Sequence, residues 1–275
     1  MSEFVIEQSG HKVLFCIPVV NAHEKHIPHA MQFYAENMHK HDMLLHWELG
    51  RALHKVQNAA VNKALANDCT HVLFTEHDQW GYPVDGLDVL LDHDKDVIGL
   101  MTHMRKFPYL PMNMKKTDKN ESFVTTKRNL RSFYPAHPIS QTDLITWAFT
   151  LVKIDVFKRM KEAGKNPWVW DTVPTDSHFC QACEDLGIER WISPEYIINH
   201  GDLPKEHIYH YQKMFDSINA SEGKLPTYAP PVPAYNDEDP HGVEPYQSQL
   251  TQILGDPVQL AAAQKTAEEF AEAHA

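Results

Sequence analysis

Three short apolar runs constrain the fold of this chain more than any other feature. Residues 12–20 read KVLFCIPVV, residues 72–75 read VLFT, and residues 96–101 read DVIGLM. Continuous apolar strands rich in β-branched side chains are typical of a parallel sheet that is covered on both faces. The sequence therefore predicts a sheet in which these three segments are buried strands.

The segments between the runs have the periodicity of helices. Residues 42–66 place apolar side chains at helical spacing opposite basic ones, and residues 84–92 form a second helical segment. Strands that alternate with helices in this way are typical of a doubly wound α/β sheet. The pattern continues with a predicted strand over 145–153, helices over 154–163 and 176–186, and a last strand over 195–199.

Composition excludes several classes of protein. Hydrophobic residues make up 43% of the 275 residues, which excludes a chain that is disordered throughout. No apolar run approaches the roughly 18–20 residues that cross a bilayer, and the first residues, MSEFVIEQSGHK, lack the pattern of a secretory signal. Four cysteines are too few for a disulfide framework. We expect a cytoplasmic protein that does not bind membranes.

The character of the sequence changes near residue 203. Seven of the eighteen prolines lie between Pro204 and Pro245, which favours an extended arm, and residues 248–275 are rich in Ala and Gln and have helical character. We therefore expect one domain over 1–202 and an appendage over 203–275. The terminal helix of the appendage is a candidate contact for a homo-oligomer.

Two carboxylates follow the second apolar run. Glu76 and Asp78 stand one residue apart, directly after the VLFT strand and before a turn at residues 81–83. Ligands of α/β sheets bind at the carboxyl ends of strands, and Mg²⁺ and Mn²⁺ prefer oxygen ligands. The pair is a candidate divalent-cation site, although most such pairs are solvated loop residues.

The order of these motifs resembles that of the GT-A fold nucleotide-sugar glycosyltransferases. The resemblance covers about residues 12–202 and rests on KVLFCIPV, HVLFTEHD, DVIGLM, ITWAFTLVKIDVFKRM, PTDSHF and YIINHGD. It implies a GT-A-like, Rossmann-related α/β fold: a mixed, mainly parallel sheet flanked by helices, followed by the C-terminal arm and helix. It also implies a metal-dependent transferase that moves a sugar from a nucleotide-sugar to a hydroxyl acceptor.

The resemblance assigns roles to individual acidic and histidine residues. Glu76 and Asp78 correspond to the family's Asp-x-Asp motif, which holds Mn²⁺ or Mg²⁺ against the donor diphosphate, and Glu76 is also a candidate for the ribose. His200 corresponds to a late histidine that binds the metal or the diphosphate. Asp176 corresponds to the carboxylate that removes the acceptor proton in inverting members. The alternative for Asp176 is that it caps its helix.

Other residues are expected to contact the donor, for which a UDP-sugar is favoured. Pro18, Val19 and Asn21 lie at the end of the first strand, and Arg51 lies in the predicted helix over 42–66, where a solvated side chain is the alternative. Trp147 and Trp170 are candidates to stack on a sugar or base, with burial in the core as the alternative.

The acceptor prediction depends on a basic segment. Residues 105–131 carry eight Lys or Arg and two acidic residues, in a chain whose net charge is −12. Such a segment either balances an acidic surface or contacts phosphates. The aromatic residues in it or just after it are candidates to stack on an exposed base: Phe107, Tyr109, Phe123, Phe133 and Tyr134. A hydroxymethylated pyrimidine in DNA is therefore one candidate acceptor, as in bacteriophage members of the family, which act in the host cytoplasm.

Two other functions fit parts of the sequence. A nucleotidyltransferase on a related α/β sheet would release pyrophosphate, and a non-catalytic nucleic-acid-binding module would use the basic segment. Cys180 and Cys183 form a C-x-x-C, but no second paired element completes a zinc site, so packing inside a helix is the favoured role.

Overall fold

A mixed sheet lies at the centre of the computed structural model, which describes residues 10–19, 25–49, 52–105, 110–117, 122–123, 130–168 and 174–201. The strands are β1 (Lys12–Val19), β2 (Asp42–Leu49), β3 (His71–Thr75), β4 (Gln79–Trp80), β5 (Val97–Thr102), β6 (Met114–Lys116), β7 (Leu130–Ser132), β8 (Ser140–Thr142), β9 (Phe149–Lys153) and β10 (Arg190–His200). The helices are α1 (His26–Asn37), α2 (Leu53–Ala66), α3 (Gly86–Asp92), α4 (Ile154–Glu162) and α5 (Thr175–Asp185).

The strand order confirms the predicted α/β class with a mixed, largely parallel sheet flanked by helices. Within the described residues the order is β2-β1-β3-β9-β5-β10-β4, with β8 paired to β10. Strands β1, β2, β3, β5 and β10 run parallel to one another, whereas β9 runs antiparallel between β3 and β5. The carboxyl ends of the five parallel strands therefore lie along one edge of the sheet.

Helices cover both faces of the sheet, which explains why β1 is apolar at consecutive positions. Leu14 and Cys16 belong to a core that includes residues of α2, α4 and α5. Val13, Phe15 and Ile17 point to the other face, where they share a core with residues of α1 and α3. Burial on both faces is the usual environment of strands in parallel sheets.

The prediction of one helix over residues 42–66 was wrong in its first third. Residues 42–49 form β2, which pairs with β1 at eight consecutive positions, and the helix α2 begins only at Leu53. Apolar residues also happen to occur at helical spacing in β2, which is a strand at the edge of the sheet. Its side chains have mixed exposure, so its sequence lacks the continuous apolar character of a central strand.

Helix α1 was not predicted at all. Its buried residues are His26, Ala30, Phe33 and Asn37, which have helical spacing, but two of the four are polar. A search for apolar periodicity therefore misses this helix. The predicted strand over 145–153 begins at Phe149, and the last strand begins at Arg190 and has a bulge between Ser193 and Ile197.

Parts of the remaining predictions fall on residues that the structure does not describe. The described part of the basic segment contains β6 and the first two residues of β7, and these two strands pair as a small antiparallel sheet. The predicted appendage over 203–275 lies outside the described residues, so the domain boundary stays a prediction. Among the residues that are described, the helices are too short and too polar to cross a membrane.

Candidate active site

The turn after β3 leads into β4, which connects the carboxyl end of β3 with the carboxyl end of β10. β3 ends at Thr75, and the chain then passes through Glu76 and Asp78 into the short strand β4. Because β4 pairs antiparallel with the end of β10, Gln79 lies opposite His200. The N–H of Gly201 also donates a hydrogen bond to the carbonyl oxygen of Asp78, at 2.7 Å. The pairing therefore places residues from two distant parts of the sequence at one point of the carboxyl edge.

Glu76, Asp78 and His200 form a compact group at this point. One ligand atom from each lies within 4.8 Å of the others, and Nε2 of His200 is 3.3 Å from Oδ2 of Asp78. His200 Nδ1 donates a hydrogen bond to the carbonyl oxygen of His103 at 2.8 Å, which directs Nε2 toward the carboxylates. A histidine held in this way by its second nitrogen is typical of metal ligands.

The chemistry of this group fits a divalent ion. Two carboxylates and an imidazole suit Mn²⁺, and Mg²⁺ also accepts carboxylate oxygens. The amide Nε2 of Gln79 donates to Oε2 of Glu76 at 3.0 Å, so the Glu76 carboxylate is held in place as well. The residues predicted as metal ligands are thus brought together, and their ligand role stays a prediction.

Burial and charge shift the pKa values of the three groups. Burial and the Asp78 charge raise the pKa of Glu76 to about 7. Burial also acts to raise the pKa of Asp78, but the hydrogen bond and charge of His200 outweigh it and lower that pKa to about 2. Burial acts to lower the pKa of His200, but its hydrogen bond to Asp78 and the nearby carboxylates raise it.

An arginine that received no individual role in the sequence analysis also reaches the site. Nη1 of Arg105 lies 3.0 Å from Oδ2 of Asp78, while the Arg105 side chain keeps 60% of its exposure. Arg105 follows β5, whose carboxyl end lies on the same edge of the sheet. No local motif marks it, because its partner is distant in the sequence.

Asp176 lies in the first turn of α5 and acts on the same site. Its charge contributes to the raised pKa of Glu76. Its Oδ1 also accepts a hydrogen bond from the N–H of Ser177, at 2.8 Å. Asp176 is the second residue of α5, whose N-cap residue is Pro174 and which has no side-chain cap hydrogen bond, so the alternative that Asp176 caps the helix was wrong. Its role as proton acceptor stays a prediction.

The residues predicted to contact a donor are described in part. The carbonyl oxygen of Pro18 lies 3.2 Å from Nε2 of His26, and Val19 is half-buried at the end of β1. Asn21 and Arg51 lie outside the described residues. Nδ1 of His26, a residue that the sequence analysis missed, lies 2.8 Å from the carbonyl oxygen of Gln79. His26 thus connects the end of β1 to the segment that carries Asp78.

Several candidate aromatic contacts are core residues. Trp147, Phe123 and Phe133 are buried, so the prediction that Phe123 and Phe133 stack on an exposed base was wrong. Phe107, Tyr109 and Trp170 lie outside the described residues. Cys180 and Cys183 are free and buried in the core, as expected for packing.

Part of the positive charge of the basic segment is used inside the protein. Nζ of Lys116 pairs with Glu184 at 2.5 Å, and its side chain is only 5% exposed. Nζ of Lys115 lies 4.0 Å from Asp143. These two lysines are therefore less available to a polyanion than the sequence alone indicates.

Comparison with known proteins gives distant structural likenesses only. No protein-family model matches the sequence, and no curated protein is significantly similar to it. Protein A197 from STIV has 11% identity over 69% of this chain and 85% of its own, with a TM-score of 0.45. The mannosyltransferase PcManGT from Pyrobaculum calidifontis, solved with GDP-Man and Mn²⁺, has 14% identity over 96% of this chain and 76% of its own, with a TM-score of 0.35.

Proposed function

We propose that this protein is a metal-dependent glycosyltransferase that uses a nucleotide-sugar donor. The observation that carries the proposal is the convergence of Glu76, Asp78 and His200 within 4.8 Å at the carboxyl edge of the sheet. This is the edge at which α/β sheets bind their ligands. The resemblance of the sequence motifs to GT-A fold enzymes supports the same activity.

In this proposal each group has a defined task. Glu76, Asp78 and His200 hold the divalent ion, and His103 fixes the orientation of His200 through its carbonyl oxygen. When bound, the ion neutralises the charge that develops on the departing nucleoside diphosphate. Asp176 accepts the proton of the acceptor hydroxyl as its oxygen attacks the anomeric carbon. A base in this role favours inversion of the anomeric configuration.

The first experiment tests the donor site. The thermal unfolding midpoint is measured with UDP-, GDP-, CDP- and dTDP-sugars, each with and without Mn²⁺, for the wild type, Asp78→Ala and Asp155→Ala. A ligand present at a hundred times its Kd stabilises the native state by about 2.7 kcal/mol, which moves the midpoint measurably. We expect a Mn²⁺-dependent shift, strongest with a UDP-sugar, that is lost in Asp78→Ala.

Asp155→Ala is the matched control. Asp155 is an exposed aspartate of α4 that pairs with Lys158 at 2.8 Å. Asp155→Ala therefore also removes an aspartate and its ion pair, but at a position away from the site. The control should keep the full shift. A wild type that shows no shift with any donor, with or without Mn²⁺, would contradict the proposed function.

The released product separates the proposed activity from a nucleotidyltransferase. A glycosyltransferase releases a nucleoside diphosphate, whereas a nucleotidyltransferase consumes a nucleoside triphosphate and releases pyrophosphate. We expect the diphosphate. The acceptor search begins with DNA that contains hydroxymethylated pyrimidines, because the net positive charge of residues 105–131 suits a phosphate backbone. Saccharide acceptors form the second arm, and a sugar transferred only to them would overturn the DNA part of the proposal.

A further inference from the structure

Arg105 occupies an unusual position beside the candidate metal ligands. Its guanidinium shares Oδ2 of Asp78 with His200, at 3.0 Å from Arg105 Nη1 and 3.3 Å from His200 Nε2. A single carboxylate oxygen therefore serves two nitrogen groups. Binding of a metal by Asp78 would compete with the arginine for that oxygen, and the two positive charges would repel each other.

The stem of Arg105 packs against Gly201, while the side chain as a whole is largely exposed. Gly201 has a left-handed backbone with φ of +61°, and a Cβ at this position would lie 2.9 Å from Cδ of Arg105. Gly201 is itself held by Trp80, whose indole N–H donates to the Gly201 carbonyl oxygen at 2.6 Å. The stem thus rests against a glycine that has no side chain to displace it, and the side chain that carries the guanidinium is 60% exposed.

A guanidinium that a metal displaces from Asp78 would find a new partner in the diphosphate of a donor, as the charges at the site indicate. A divalent ion and the two carboxylates of Glu76 and Asp78 sum to zero, so they leave the negative charge of a diphosphate without compensation. Arginine presents five N–H donors in a planar fork that matches two phosphate oxygens. The Arg105 guanidinium lies at ion-pair distance from Asp78, which would hold the ion.

We propose that Arg105 is a diphosphate-binding residue, which pairs with Asp78 when the site holds no metal and turns onto the diphosphate of the donor when Asp78 binds the ion. This inference rests on the proposed function and adds a specific binding residue to it. Arg105 then has opposite effects on two ligands. It competes with the metal and it attracts the nucleotide.

The test measures these two affinities separately by calorimetry, without turnover. Mn²⁺ alone is titrated into the wild type, Arg105→Ala, Arg105→Lys and Arg159→Ala, and UDP is then titrated into each protein at saturating Mn²⁺. If the donor panel identifies another nucleoside diphosphate, that nucleotide replaces UDP. Arg159 is a matched control, since it is an exposed arginine that pairs with Asp96 at 3.3 Å, next to the amino end of β5.

We expect Arg105→Ala to bind Mn²⁺ about fivefold more tightly, because a competing ion pair is removed. The same variant should bind UDP about 10- to 100-fold more weakly, because a charge-assisted bidentate contact is lost. Arg105→Lys keeps the charge without the fork, so its Mn²⁺ affinity should match the wild type and its UDP affinity should be intermediate. Arg159→Ala should leave both affinities unchanged.

The outcomes distinguish this inference from the proposed function. A wild type that binds Mn²⁺ and UDP, together with an Arg105→Ala protein whose UDP affinity is within twofold of it, would overturn the role of Arg105 alone. Equal losses of Mn²⁺ and UDP affinity in Arg105→Ala would show that Arg105 merely maintains the fold of the site, which also overturns the inference. A folded wild type that takes up no Mn²⁺ would overturn both proposals.

Discussion

Nε2 of His200 lies 3.3 Å from Oδ2 of Asp78, although Asp78 lies in the turn after β3, and β3 and β10 are not neighbours in the sheet. The short strand β4 makes this possible, because it leaves the end of β3 and pairs with the end of β10. The backbone pairing of β4 with β10 therefore places Asp78 and His200 close together, independently of any interaction between their side chains. A site built on strand ends in this way has little freedom to change its geometry.

Asp78→Asn should abolish tight Mn²⁺ binding while it preserves the fold. The amide has the shape of the carboxylate, and the Asp78 carbonyl oxygen still accepts the hydrogen bond from Gly201. Partners of metal ligands typically contribute 10- to 100-fold in affinity, so loss of a ligand should exceed about 100-fold. Calorimetry with Mn²⁺ measures the change, and circular dichroism checks the fold. Unchanged Mn²⁺ affinity would remove Asp78 from the metal site.

Gly201→Ala should disturb both stability and the position of Arg105. Alanine at φ of +61° is strained, and its Cβ would lie 2.9 Å from Cδ of Arg105. The strain alone costs roughly 1 kcal/mol, and the contact adds to it. Urea denaturation gives the free energy of unfolding, and Mn²⁺ titration reports on the site.

Gly187→Ala separates the two effects. Gly187 has a similar φ of +65°, but a Cβ there would have no atom within 4 Å. It should therefore show the backbone cost without the contact, and its Mn²⁺ affinity should equal that of the wild type. Equal destabilisation in both variants, with equal Mn²⁺ affinity, would mean that the Arg105 stem moves aside freely.

His26→Ala should destabilise the protein and weaken the site together. The His26 ring is fully buried and lies between the carbonyl oxygens of Pro18 and Gln79, at 3.2 and 2.8 Å. Its removal leaves a cavity and a buried carbonyl without its donor, which costs about 2–4 kcal/mol. Because Gln79 follows Asp78 directly, we also expect weaker Mn²⁺ binding. Urea denaturation and Mn²⁺ titration measure the two effects, and a stability loss without any change in Mn²⁺ affinity would show that His26 supports the fold alone.

The sequence predicts the elements of the site better than its assembly. VLFT followed by Glu76 and Asp78 indicates a strand end with carboxylates, because a buried strand and its polar end are local features. The proximity of His200 to Asp78 was expected from the order of motifs in a resembling family. Spacing alone does not reveal the pairing of β4 with β10 that produces it.

The features that sequence analysis missed depend on tertiary contacts. Arg105 meets Asp78 only because β5 ends at the same edge of the sheet, and His26 is buried only because the strand ends surround it. The interpretation of residues 42–49 as helix failed for a related reason. An edge strand with mixed exposure carries no periodicity that distinguishes it from a helix.

Acid should destabilise the protein in part through His71. Burial, followed by the charges of His11 and Lys153, lowers the pKa of His71 from 6.5 to about 4. The unfolded chain therefore takes up a proton near pH 6.5 that the folded protein does not. The stabilisation is present in full above pH 6.5 and is lost as the pH falls from 6.5 toward 4, by about 1.4 kcal/mol per pH unit at most.

His71→Gln removes this titration and should flatten the acid side of the stability profile. The free energy of unfolding is measured by urea denaturation between pH 7.5 and about 5 for the wild type, His71→Gln and the exposed-site control His39→Gln. Between pH 6.5 and 5, the wild type should lose up to about 2 kcal/mol more than His71→Gln. His39→Gln should follow the wild type. If the wild-type and His71→Gln profiles run parallel, His71 titrates alike in the folded and unfolded states, and the acid sensitivity comes from other buried groups.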